Sequence, residues 1–92
     1  MSIEDARKTV DEIDKDIVRL LSRRADAALR IGREKRKEGL PVCDPSREED
    51  VLKRALAMNE GPLDDGMLEG IYREIMAACL SVQKMKPERG LD

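Results

Sequence analysis

From Ser2 to Gly39 the chain runs without a proline and with one internal glycine, Gly32. Apolar residues recur within that run at Ile3, Ala6, Val10, Ile13, Ile17, Leu20, Leu21, Ala28 and Ile31. Steps of three and four place them on one face of an α-helix, whereas a strand would need alternation. Ser2 can cap the start, with Glu4 and Asp5 in the first turn. Lys35, Arg36 and Lys37 suit the negative end of the helix dipole, and Gly39 followed by Pro41 stops it. The spacing predicts one helix of roughly 35 residues, about 52 Å long at 1.5 Å per residue. A compact globule of a chain this short has a radius of gyration of about 12 Å and a diameter of about 30 Å. Such a helix overshoots its own domain, yet its apolar stripe continues along the overshoot. The simplest cover is a second copy of the chain, so an intertwined homodimer built on paired first helices is expected.

The remainder reads as two shorter helices. Asp44-Pro45 is a helix start, with Asp as N-cap and Pro in the first turn. The second helix runs to about Asn59, with Val51, Leu52, Ala55 and Leu56 inward, until Asn59-Glu60-Gly61-Pro62 breaks it. Asp64 or Asp65 caps a third helix carrying Leu68, Ile71, Ile75, Ala78 or Cys79, and Val82, to about Met85. The fold class is all-α, with three helices per chain and no strand candidates. Residues 1–85 read as one helical domain and 86–92, with Pro87 and Gly90, as a tail or linker.

Composition removes several classes of function. There is no His, hence no Ser-His-Asp triad, no Cys-His dyad and no histidine metal site. Cys43 and Cys79 could form one disulfide but read as free thiols, and two cysteines are too few for zinc, so no metal is expected. The 18 Lys and Arg against 20 Asp and Glu leave a net charge of −2, and Tyr72 is the one aromatic residue. That balance gives no basic field and no stacking platform, so no nucleic-acid partner is expected. Five basic residues between Arg30 and Lys37 read as a solvated helix end. No apolar run approaches the roughly 20 residues of a membrane span, so no membrane partner is expected. The N-terminus MSIEDARKTV lacks a signal-peptide core, and a cytoplasmic location follows as an expectation.

The most informative feature is a misfit. Continuing the inward stripe through Ile13, Ile17 and Leu20 or Leu21 arrives at Arg24; continuing through Ala28 and Ile31 arrives at Lys35. Arg7 lies a turn from both Ile3 and Val10. On the second helix Glu48, with Arg47 beside it, sits a turn before Val51 and Leu52; on the third, Gln83 follows Tyr72, Met76 and Cys79 by helical steps. Any one of these side chains can snorkel from a stripe edge. Together they describe a polar pocket in a small helical core, because burying cations costs several kcal/mol unless they are paired. Its surplus of positive charge points to an anionic ligand with carboxylates that guanidinium forks can hold.

These residues resemble a known family. Arg7 with Ile13-Asp14, Leu20-Leu21-Ser22-Arg23-Arg24, Ile31-Gly32-Arg33-Glu34-Lys35, Pro41 through Glu48, and Ile71-Tyr72-Arg73-Glu74-Ile75 leading to Gln83 look, in order and spacing, like the all-helical chorismate mutases. The likeness covers about Ile3 to Lys84. Asn59-Glu60-Gly61-Pro62-Leu63 and the tail look like those of fused mutase–dehydratase proteins, which implies a prephenate dehydratase domain as a fused partner absent from this chain.

The resemblance implies a Claisen rearrangement of chorismate to prephenate in phenylalanine and tyrosine biosynthesis, with no cofactor, nucleophile or metal. It implies Lys35 and Gln83 as donors to the ether oxygen and Glu48 as acceptor for the ring hydroxyl, with the backbone near Asp44 contacting it too. It also implies Arg24 as a carboxylate ligand from the same chain and Arg7 as one from the partner chain, so that sites are shared across the dimer. Arg47 resembles a supporting arginine. Cys79 stands where relatives often carry Ser, and a thiol is the weaker hydrogen-bond partner; a small buried core residue is the equally weighted reading. A neutral amide at Gln83 implies activity across a broad neutral pH range. Two rival readings share the same cations: an isochorismate pyruvate-lyase on this scaffold, and a non-catalytic module sensing chorismate or prephenate.

Overall fold

The structure is a computed structural model and describes residues 2–85 of the chain. The expected tail at 86–92 lies outside the described residues. The described residues form three helices: α1 (Ile3–Glu38), α2 (Pro45–Ala57) and α3 (Asp65–Gln83). α1 has 36 residues and begins in a capping box. The Asp5 amide donates to the Ser2 hydroxyl at 3.1 Å, while the Asp5 carboxylate accepts from the Ser2 amide at 3.5 Å. Two otherwise orphaned donors are thereby satisfied.

Gly39 ends α1 in the left-handed region, at φ 68°. Its amide donates to the Arg36 carbonyl at 3.2 Å and the Leu40 amide to the Lys35 carbonyl at 2.8 Å, the two bonds of a Schellman motif. A glycine is needed because the conformation penalises a Cβ. The reversal sends Leu40–Val42 back past the last turn of α1. Asp44 then caps α2, accepting from the Arg47 amide at 3.1 Å, and Pro45 opens the helix. Of the two candidates for the third cap, Asp64 is the one used, accepting from the Met67 amide at 2.8 Å. α2 stops at Ala57 and α3 at Gln83, each two residues short of the bound expected from pattern, because Met58 and Lys84 already serve as C-caps.

α3 packs on both other helices. The buried apolar residues among those described are Ala28, Leu52, Ala55, Met76 and Cys79. They gather in the half of the molecule where α3 packs on the C-terminal part of α1 and α2 packs on α3. The N-terminal part of α1 stands clear. Its stripe is exposed, Ile3 to 71%, Val10 to 53%, Ile13 to 51% and Ile17 to 47%. The chain measures 54 × 30 × 14 Å with a radius of gyration of 16.5 Å, well above the compact value of about 12 Å for this length. The long axis equals the length of α1, about 54 Å at 1.5 Å per residue.

Candidate active site

Three helical stripes converge on one cavity of about 360 Å³. α1 contributes Arg24, Ala28, Ile31 and Lys35, at steps of four, three and four. α3 contributes Met76, Cys79, Leu80 and Gln83, again at helical spacing. Asp44, Arg47, Glu48 and Val51 come from the start of α2, and Val42 from the linker before it. Each helix thus carries its apolar face into the cavity and ends that face with polar groups. The volume lies in the range of small-molecule pockets, about 300–1,000 Å³.

At one end of the cavity the Lys35 ammonium donates to the Val42 carbonyl at 2.7 Å and to the Gln83 Oε1 at 3.1 Å. An ammonium can only donate, so the oxygen end of the Gln83 amide faces Lys35. The –NH2 end then points elsewhere, with both protons available. Lys35 has three protons and two of these contacts. A cationic donor and a neutral donor therefore stand side by side, held by each other and by the linker that the Schellman turn returns to α1. Both residues are half-buried.

Seven of the eight expected site residues line this cavity: Lys35, Gln83, Glu48, Arg24, Arg47, Asp44 and Cys79. Arg24 and Glu48 are half-buried, while Asp44 and Arg47 are exposed at the rim. The Asp44 carboxylate is engaged as the cap of α2, fixing the turn on which Arg47 and Glu48 sit. Cys79 is buried in the wall as a free thiol.

Arg7 is the exception. It pairs with Glu4 at 3.1 Å and its side chain is 72% exposed. On a straight helix the 28 steps from Arg7 to Lys35 span about 42 Å, far beyond the reach of an arginine side chain. Arg7 does not serve its own chain's cavity. Pattern reading missed the Val42 carbonyl, since periodicity says nothing of which backbone oxygen a lysine meets. It also gave no role to Gly32, although a lone glycine inside a 36-residue helix is itself a signal of close approach.

No helix among the described residues is long and apolar enough to cross a membrane. The type II chorismate mutase family profile matches residues 6–84. A bifunctional chorismate mutase/prephenate dehydratase from Aquifex aeolicus (strain VF5) is 42% identical over 86 residues, which cover 89% of this chain and 24% of that protein. The chain thus spans about a quarter of the length of that curated relative. The chorismate mutase of Methanocaldococcus jannaschii is 35% identical over 83 residues, covering 89% of this chain and 84% of that one. Among solved structures, chorismate mutase (form II) from Thermus thermophilus superposes with a TM-score of 0.89 at 37% identity, covering 94% of this chain and 98% of that one. The profile takes in α1 from Ala6 onward, all of α2 and α3 and every residue of the cavity, and the chain belongs to the type II chorismate mutase family.

Proposed function

We propose that the chain catalyses the rearrangement of chorismate to prephenate, as a homodimer in which each cavity is completed by Arg7 of the other chain. The observation that carries the reading is the Lys35–Gln83 pair, 3.1 Å apart at the end of a cavity otherwise lined by Arg24, Arg47, Glu48 and apolar side chains. In this reaction the ether C–O bond breaks while a new C–C bond forms within the same molecule. No proton is transferred and no covalent intermediate with the protein is needed. The ether bond breaks ahead of bond formation, so negative charge grows on the ether oxygen in the transition state. Donors fixed before the reaction meet that charge without reorganising, and this makes them more effective than water.

Lys35 supplies the cationic donor and Gln83, through its free –NH2, the neutral one. Arg24, with Arg47 behind it, and Arg7 from the partner hold the two substrate carboxylates and select the folded, chair-like conformer. Glu48 accepts from the ring hydroxyl. A millionfold acceleration requires about 8 kcal/mol off the barrier. Conformer restriction and two oxyanion donors, each worth about 3–4 kcal/mol, supply that order. The exposed stripe of α1 supports the dimer, because an apolar face of this length is costly in water. The pyruvate-lyase alternative draws no support from the family match or the relatives' names.

The test is loss of chorismate ultraviolet absorbance on adding the purified chain, with prephenate identified as product and Lys35→Ala as control. Prephenate formation that collapses in the control is the expected result. Absence of turnover by a folded dimer would overturn the proposal, and isochorismate would then be the next substrate to try.

A further inference from the structure

The basic run at the end of α1 contains more than a solvated helix end. The Arg36 guanidinium Nη1 donates to the main-chain carbonyl of Gln83 at 3.3 Å and to that of Met85 at 3.3 Å. One turn earlier on the same face of α1 lies Gly32, which is buried. A Cβ built on Gly32 would stand 3.0 Å from both the Cα and the carbonyl carbon of Gln83 and would collide with its oxygen. Between them on α1 is Lys35, whose ammonium holds the Oε1 of the same glutamine. Gln83 is the last residue of α3, where main-chain carbonyls lack helical partners and the dipole favours a cation. Its position would otherwise be free to fray.

From this arrangement we infer that Gly32 and Arg36 are positioning residues: they seat the last turn of α3 against α1 and thereby aim the Gln83 amide into the cavity. Gly32 sets how close the two helices come at that point. Arg36 fixes the main chain of Gln83 from above, and Lys35 fixes its side chain. Gln83 is therefore gripped at both ends by one turn and a half of α1. A terminal residue acquires the placement of a mid-helix residue, as a catalytic donor requires, since a displacement of about 1 Å can cost up to about 100-fold in rate. Arg36 touches no reacting atom; its effect on the site is exerted through the main chain at the end of α3. The kinetic part of the inference rests on the proposed mutase reaction, while the structural part does not.

The experiment combines a kinetic cycle with a ligand-free spectroscopic readout. Arg36→Met keeps the aliphatic stem and removes the donors. Expected is a fall in kcat of about tenfold with KM within about twofold, and substantial recovery in Arg36→Lys, which retains a cation able to donate to the same carbonyls. In a Gln83→Ala background the Arg36→Met change is expected to have no further effect on kcat, because the group it positions is gone. In parallel, the 15N-labelled side-chain amide of Gln83, assigned by its loss in Gln83→Ala, should give a dispersed pair of signals in the parent chain. In Arg36→Met that pair should collapse toward those of solvent-exposed glutamines.

An equal loss of kcat in the Gln83 and Ala backgrounds, or an unmoved amide signal, would overturn the inference. A parent chain that does not turn over chorismate would refute the mutase reading, and the amide signal would still decide whether Arg36 positions Gln83. If Arg36→Met does not fold, Gly32→Ala displaces the same turn from the other side and is read by the same signal.

Discussion

The proposed sharing of each site between two chains makes a quantitative prediction. Arg7 and Lys35 lie on one continuous helix 28 positions apart, about 42 Å. A straight helix cannot bring both to one cavity, so the proposed site takes them from different chains. Arg7→Ala removes a charge-assisted carboxylate contact worth about 1.5–3 kcal/mol, a loss of roughly 10- to 150-fold in kcat/KM. Lys35→Ala removes an oxyanion donor, a loss of about 100- to 1,000-fold. Alone, Arg7→Ala should keep at most about a tenth of the parent activity and Lys35→Ala at most about a hundredth. When the two are unfolded together in equal amounts and refolded, random pairing makes about half of the dimers mixed. Each mixed dimer has one cavity with neither change and one with both. About a quarter of the parent activity should therefore return. The assay is chorismate consumption by the refolded mixture, against each variant refolded separately. Activity no greater than the average of the two variants, with sedimentation confirming that mixed dimers formed, would refute the shared site.

Further outcomes follow from individual contacts. Gln83→Glu puts a carboxylate beside the Lys35 ammonium, 3.1 Å from where the amide oxygen now sits. An ionised carboxylate has no proton to donate, so kcat/KM at pH 7 should fall about 100- to 1,000-fold and rise as pH is lowered toward the carboxylate range, about 4.3 for a free glutamate. The parent chain's profile should stay flat from roughly pH 6 to pH 8, and a parent profile rising steeply toward acid would contradict a neutral amide donor. Ile13→Asp changes a side chain that the single chain leaves 51% exposed, so it should disturb the dimer far more than the protomer fold. Sedimentation should show dissociation, and an unchanged dimer would refute the placement of this stripe at the interface. Asp44→Ala removes the α2 cap and should cost about 1 kcal/mol, lowering the thermal midpoint by about 4–8 °C. A midpoint unchanged by calorimetry would show that the cap bond does not matter.

Much of this architecture is legible in the sequence because its helices are marked at both ends. Ser2, Asp44 and Asp64 are caps chosen from the small set of side chains that can satisfy a first-turn amide, and Gly39 is a stop for which a Cβ is unfavourable. The cavity was legible for a different reason. Arg24, Lys35 and Gln83 interrupt apolar stripes at positions where a core residue would be cheaper, and the structure brings them to one place. What pattern does not carry is the identity of main-chain partners. Lys35 meets Val42 through a carbonyl, and Arg36 meets Gln83 and Met85 the same way. Every residue has such a carbonyl, so no residue type announces the contact. The ends of α2 and α3 were misplaced by two residues for a related reason: Met58 and Lys84 have side chains that fit a helix as well as a cap.

The division of α1 into a packed half and a bare half also governs when a newly made chain becomes a folded one. Five apolar side chains are buried among the described residues, and most of them lie on α2 and α3, which are synthesised last. The bare half leaves the ribosome first, and none of the described residues of its own chain covers its stripe. In the proposed dimer its stability is inseparable from the concentration of a second chain. At low expression the folded population should then rise more steeply than in proportion to synthesis. Chains in excess of their partners would meanwhile expose about half of α1 to proteases and chaperones. Gene dosage would then act on this protein through encounter as well as through production.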